Sequence, residues 1–245
     1  MKTIAFIPSR YDSTRFPGKP LALISGKPMI QHVYRCATSC PDVSEVFVAT
    51  DDERIFQCVH DFGGKAIMTE RKHPSGTDRI AEAVQKIGLS EDDLIVNIQG
   101  DQPVFHPEII SRMIDPLKQD SDIPMGTVQF RITDQAEVEN GNIVKVVTDN
   151  EGFALYFSRS PIPLFRDSES DRVCYKHLGF YVYRKDFILQ FSRLPGGKLE
   201  AAEKLEQLRA LEHGFRIRVV EVAHDSTEVD APEDIRKIEE LEAGQ

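Results

Sequence analysis

The run Ile4-Ala5-Phe6-Ile7-Pro8 passes without a break into Ser9-Arg10-Tyr11-Asp12-Ser13-Thr14-Arg15-Phe16-Pro17-Gly18-Lys19-Pro20. A short, unbroken apolar run reads as a strand covered on both faces, as in a parallel sheet. The loop that follows lies at the strand's carboxyl end, where open α/β sheets bind ligands. Arg10, Arg15 and Lys19, together with Ser and Thr hydroxyls and Gly18, make a cradle for a triphosphate. Guanidinium forks grip phosphate oxygens, and an ammonium adds a point charge. The spacing matches neither G-x-G-x-x-G nor G-x-x-x-x-G-K-[ST], because Pro20 follows Lys19. From these residues alone, a solvated basic loop stands as the alternative.

Outward from this segment the chain alternates strand and helix signals. Pro28 to Thr38 places Met29, Ile30, Val33 and Ala37 on one helical stripe. Glu45 to Thr50 reads as a strand, and Asp51-Asp52 offers a cap for a helix to Phe62. Lys65–Met68 is a third strand, Thr77–Lys86 a helix, and Asp93–Ile98 a fourth strand ending in Gln99-Gly100-Asp101-Gln102-Pro103. This rhythm predicts an open, mostly parallel, Rossmann-like α/β sheet with helices on both faces. It breaks in the second half, where Met125–Arg131, Ile143–Asp149, Phe153–Ser158 and Tyr175–Tyr183 follow one another as strands, implying an antiparallel portion. Lys198–Glu212 then reads as one helix closed by His213-Gly214, Phe215–Val222 as a strand, and Pro232–Glu242 as a terminal helix.

The 245 residues fit one domain, with no linker or repeat to divide them. With 40 acidic against 30 basic side chains, the net charge of −10 argues against a nucleic-acid or anionic-membrane surface. No apolar stretch approaches the roughly 18–20 residues of a membrane-spanning helix, and the N-terminus does not read as a secretory signal. Cys36, Cys40, Cys58 and Cys174 form no C-x-x-C pair. Free thiols in a reducing cytoplasm are the expectation.

Two carboxylates stand out. Asp101 follows a buried strand and Asp230 precedes Ala231-Pro232, so each can reach the sheet-top crevice or cap a following helix. Two acids from distant segments would suit Mg²⁺, which is commonly held by one or two carboxylates plus substrate phosphates. Ser75-Gly76-Thr77-Asp78-Arg79 is a helix-opening cap that needs no ligand. On the late helix, Glu203 and Glu206 share a face with Gln207 beside them. His32, His60, His73, His106, His213 and His224 show no ligand spacing, so no zinc site is expected. There is no G-x-S-x-G elbow.

The opening I-P-S-R-Y-D-S-T-R-F-P-G-K-P-L resembles that of 3-deoxy-manno-octulosonate (Kdo) cytidylyltransferases, the CMP-Kdo synthetases. The resemblance recurs at Ala49–Glu53, Ser75–Arg79, Val96–Pro103, Ala154–Pro163, Lys176–Arg184, Leu205–Arg209 and Val229–Ile235. It implies a cytoplasmic homodimer that joins CTP to an eight-carbon 2-keto-3-deoxy sugar acid for lipopolysaccharide or capsule synthesis. Residues 120–195 would carry the dimerisation and sugar-pocket portion. Arg10, Arg15 and Lys19 would hold phosphates, Ser75 and Arg79 would border the cytosine, and Gln99 would touch both substrates. Asp101 and Asp230 would bind Mg²⁺. Arg159 would meet the sugar carboxylate, with His177, Glu206 and Gln207 on its hydroxyls. The family usually has Glu where Gln102 stands, which removes a charge beside the metal. Some blocks resemble most the branch using 8-amino-3,8-dideoxy-manno-octulosonate, whose ammonium would want the acids of Glu200–Glu212. A glycosyltransferase or a non-catalytic nucleotide-binding regulator are the rival classes.

Overall fold

The first strand, β1 (Thr3–Ser9), is buried along nearly its whole length because helices cover both of its faces. Ala5 and Ile7 point into one apolar layer, Ile4 and Phe6 into the other, as a period of two requires. Burying each of the three larger side chains contributes roughly 1.5–3 kcal/mol. The computed structural model describes residues 1–12, 16–166 and 172–243.

A small hairpin of β2 (Leu23–Ile24) and β3 (Lys27–Pro28) leads into α1 (Met29–Thr38). Then come β4 (Glu45–Thr50), α2 (Glu53–Asp61), β5 (Ala66–Met68), α3 (Gly76–Lys86) and β6 (Leu94–Asn97). The caps are those read from the chain: Asp52 accepts from the Arg54 N–H, and Ser75 from the Asp78 N–H. Next are α4 (Glu108–Gln119), β7 (Met125–Arg131), α5 (Gln135–Glu139), β8 (Lys145–Thr148), β9 (Ala154–Ser158) and β10 (Tyr175–Arg184). The chain closes with α6 (Lys185–Phe191), α7 (Lys198–Glu203), α8 (Leu208–Glu212), β11 (Ile217–Glu221) and α9 (Asp234–Ala243).

The sheet order is β11-β7-β10-β6-β1-β4-β5, with β8 and β9 branching from β10. On the main path β10 alone runs against its neighbours, which is the antiparallel portion anticipated in the second half. α1, α2 and α4 supply one apolar layer, and α3 and α6 supply much of the other. α9 packs Ile238 against Ile24, Met29 and Val229, which pins the end of the chain beside the first loop.

One expectation fails. Lys198–Glu212 is two helices, broken at Lys204, which lies in the left-handed region at φ 56°. A straight helix turns about 100° per residue, so it could bury Leu205 and Leu208 only with Gln207 turned away from them. The break lets Leu205, Gln207 and Leu208 all turn inward. Glu203 and Glu206 therefore share no helix face. α5 and α6 are short helices that the sequence reading passes over.

Candidate active site

Two cavities open at the carboxyl ends of β1 and β6 and meet at Gln99 and Asp101. The smaller, about 290 Å³, is lined by Ser9, Arg10, Lys19, Ser75 and Arg79. The larger, about 940 Å³, is lined by Arg159, His177, Tyr181, Gln207, Glu228 and Asp230 among others. An open α/β sheet places its ligand crevice at this end. Arg15 lies outside the described residues.

The first loop folds back on itself: the Gly18 N–H donates to the Tyr11 carbonyl at 2.9 Å. Gly18 has φ +71°, and a Cβ there would meet the Tyr11 ring at 3.1 Å, so glycine answers both demands. The turn sends Lys19 across the crevice floor. Its Nζ donates to Asp101 Oδ2 and to the Val229 carbonyl, each at 2.8 Å, and lies 4.0 Å from Asp230 Oδ1.

Asp101 and Asp230 come together because their loops pair. Val104 bridges Thr227 in antiparallel fashion, and the Val229 N–H donates to the Asp101 carbonyl at 2.9 Å. Asp101 does not cap α4 with its side chain. α4 begins after Pro107 with no side-chain cap, and it is Asp234 that accepts from the Asp230 and Ala231 N–H groups. Glu228, which sequence reasoning missed, joins them. Enclosure by protein and the charges of Asp101 and Asp230 push its carboxyl up to about 7. The alternation Glu228-Val229-Asp230 was its signal, since residues two apart on an extended chain face the same way.

Gln102 does not sit in the crevice. It is fully buried, and its Nε2 donates to the Leu178 carbonyl at 2.7 Å and to Glu228 Oε1 at 3.2 Å. A glutamate there would press a carboxylate against Glu228, so the amide lets the acid cluster stand. Gln99 Nε2 donates to the Gly179 carbonyl at 3.2 Å. That carbonyl is presented by an irregularity in β10 between His177 and Tyr181, where Gly179 takes φ +71°.

Ser75 Oγ donates to Asp78 Oδ2 at 2.7 Å, beside the smaller cavity. Arg79 is only 4% exposed; its Nη1 donates to Thr69 Oγ1 at 2.5 Å and the Glu70 carbonyl at 3.2 Å, and its Nη2 lies 3.3 Å from Asp51. It thus anchors the cavity wall and shows it an edge. Ser9 Oγ, buried at the same cavity, has no hydrogen-bond partner among the described residues.

In the larger cavity, Arg159 Nε donates to the Glu203 carbonyl at 2.8 Å and Nη1 to the Gly141 carbonyl at 3.1 Å. His177 lies between Phe157 and Tyr181, with Nε2 2.9 Å from Thr127 Oγ1. Desolvation pushes its imidazole down to about 3. Gln207 accepts from the Tyr181 hydroxyl at 3.1 Å, while its own Nε2 is buried without a partner. Glu206, by contrast, is not on this cavity's wall: it takes a short hydrogen bond from Thr77 on α3, and burial raises its carboxyl.

A doubly wound sheet with a phosphate-sized cationic cavity joined to a polar one at an acidic point defines a nucleotidyltransferase. Residues 4–222 match the profile of the cytidylyltransferase family. The chain is 53% identical over 243 residues to the 3-deoxy-manno-octulosonate cytidylyltransferase of Syntrophus aciditrophicus (strain SB), spanning 99% of this chain and 98% of that protein. It is 52% identical over 237 residues to the 8-amino-3,8-dideoxy-manno-octulosonate cytidylyltransferase of Shewanella piezotolerans, spanning 96% of each. Its fold superposes on that of CMP:2-keto-3-deoxy-manno-octonic acid synthetase complexed with CTP, with a TM-score of 0.93 and 44% identity across 100% of this chain and 99% of that one. The chain belongs to the 3-deoxy-manno-octulosonate cytidylyltransferase family. It is a cytidylyltransferase.

Proposed function

We propose that the enzyme joins CTP and 3-deoxy-manno-octulosonate to give CMP-Kdo and pyrophosphate. The carrying observation is the meeting of the two cavities at Gln99 and Asp101, an arrangement that suits a nucleotide on one side and a sugar on the other. The C2 hydroxyl attacks in line: its O–P bond forms as the bond to pyrophosphate breaks, and its proton passes to solvent. No covalent enzyme intermediate is needed, so the protein's work is positioning and charge neutralisation. Arg10 and Lys19 hold the phosphates and the leaving group, with Arg15 in support. Ser9 and Ser75 offer hydroxyls on the nucleotide side, and Arg79 holds the wall beside the base.

Arg159 meets the sugar carboxylate with a planar fork. The unpartnered Gln207 Nε2 donates to a sugar oxygen, which accounts for a buried donor left open. His177 binds as a neutral imidazole, because a group pushed down to about 3 is too weak a base to take the hydroxyl proton at neutral pH.

Mg²⁺ fits the acidic point. Asp101 and Asp230 share one ammonium, and burial together with their charges lifts the neighbouring Glu228, so a further cation would relieve the crowding of acids. Asp101 and Asp230 would hold the ion, which when bound neutralises α-phosphate charge and favours ionisation of the attacking hydroxyl. A cytoplasmic homodimer completes the reading. Leu155 on the edge strand β9 is 62% exposed and Leu164 is 86% exposed, which suits contact with a second copy.

The 8-amino sugar is the weaker substrate. Glu200 pairs with Arg209, Glu203 with Ser158 and the Arg159 N–H, and Glu212 with the N–H groups of Leu199 and Glu200. None of these acids lines the larger cavity, and its Glu137 and Asp225 are already paired with Lys176. Pyrophosphate release with CTP, Mg²⁺ and each sugar, against UTP, ATP and sialic acid, tests the proposal. Turnover with CTP and Kdo alone supports it, and greater turnover of the 8-amino sugar overturns the choice of substrate.

A further inference from the structure

Away from the crevice, the start of α4 and the loop after β11 bring His106, Glu108 and His224 together. All three are exposed, and one donor atom from each lies within 4.8 Å of the others. Glu108 Oε2 is 3.5 Å from His224 Nε2 and 4.0 Å from His106 Nδ1, and the two imidazoles stack with centroids 3.9 Å apart. Around a tetrahedral Zn²⁺ with bonds near 2.0–2.1 Å, neighbouring ligand atoms stand about 3.3 Å apart. The carboxylate is therefore already within a fraction of an ångström of the spacing to one imidazole. His106 Nδ1 also accepts from the Glu108 N–H at 3.3 Å, so binding an ion would exchange that contact and unstack the two exposed rings by rotamer changes.

The geometry points to a second metal site, of a different chemical class from the acidic point in the crevice: a His₂Glu site for a borderline divalent ion such as Zn²⁺ or Ni²⁺. Imidazole suits Zn²⁺, Ni²⁺ and Cu²⁺, whereas Mg²⁺ prefers oxygen ligands throughout. Sequence spacing gives no hint of it, because His106 and His224 lie far apart in the chain and meet only through the fold. The ion would tie two segments that flank the Val104–Thr227 bridge, the pairing that joins the loops of Asp101 and Asp230. Occupancy would thus stiffen the frame of the active site from outside without entering it.

The test is a calorimetric titration of metal-stripped protein with ZnCl₂ and, separately, NiCl₂, in buffer saturated with Mg²⁺ so that oxygen-only sites are filled. His106→Ala, His224→Ala and Glu108→Gln are compared with the wild type. The expected result is one equivalent bound with micromolar affinity, weakened at least about tenfold by each histidine substitution. Zn²⁺ should raise the wild-type melting temperature and leave both histidine variants unmoved. Paramagnetic Ni²⁺ should broaden the ring resonances of these two histidines before any others. Absence of binding tighter than millimolar, or one equivalent bound equally well by both histidine variants, overturns the site.

Discussion

Lys19 is the residue on which the crevice turns. One ammonium holds the Asp101 carboxylate, the Val229 carbonyl and the neighbourhood of Asp230, so it sets the spacing of the acids in the crevice. Replacing Asp101 with Asn keeps the shape and removes the charge. Asp101→Asn should fold normally and lose kcat by about 10²-fold or more, read by pyrophosphate release; near-wild-type turnover would remove Asp101 from the reaction. His177 yields a pH prediction. Its imidazole is pushed down to about 3 in the fold, so between the unfolded value near 6.5 and about 3 the unfolded chain binds the extra proton. Stability contributed by the neutral ring is present above that window and is lost as pH falls through it. The ring resonances of His177 should stay those of neutral imidazole down to pH 5, and His177→Gln should flatten the decline in unfolding free energy on acidification. Lys19, Asp101 and Asp230 were legible from the family's motifs. The acid character of Glu228 was not, because it arises from enclosure and from neighbours brought in by the Val104–Thr227 pairing.

Among the elements, strands declared themselves most clearly. Glu45–Thr50 and Met125–Arg131 begin and end where their apolar patterns do, since burial on both faces leaves no other conformation as favourable. α6 went unread because Lys185–Phe191 is too short for its period to separate from that of a buried strand. The break at Lys204 has no marker at all, as the usual glycine is missing from a left-handed position. A lysine there carries a backbone cost of roughly 1–2 kcal/mol, only part of which glycine's extra entropy would offset. Lys204→Gly should therefore stabilise the protein by up to about 1 kcal/mol in urea unfolding. Lys204→Pro should destabilise it and raise the KM for the sugar, because Leu205 and Gln207 lose their inward turn.

For the whole molecule, a net charge of −10 surrounds a site proposed to take a nucleotide that is itself an anion. On the proposed function the attraction is local, supplied by Arg10 and Lys19 at one crevice, so the KM for CTP should rise with ionic strength while melting temperature changes little. Thermal shift assays should also show CTP with Mg²⁺ stabilising the wild type by mass action and Lys19→Met far less. Chain order adds a consequence for synthesis. Lys19 leaves the ribosome well before its partners, which stand 82 and 210 positions further on. Translation at roughly 5–20 residues per second imposes a wait of many seconds between the first contact partner and the last. The sheet can gather its early strands during that wait, but the crevice closes only when Val229 and Asp230 arrive. A chain terminated before Val229, however well its sheet has formed, is therefore an inert one, and turnover reports that synthesis has passed this loop.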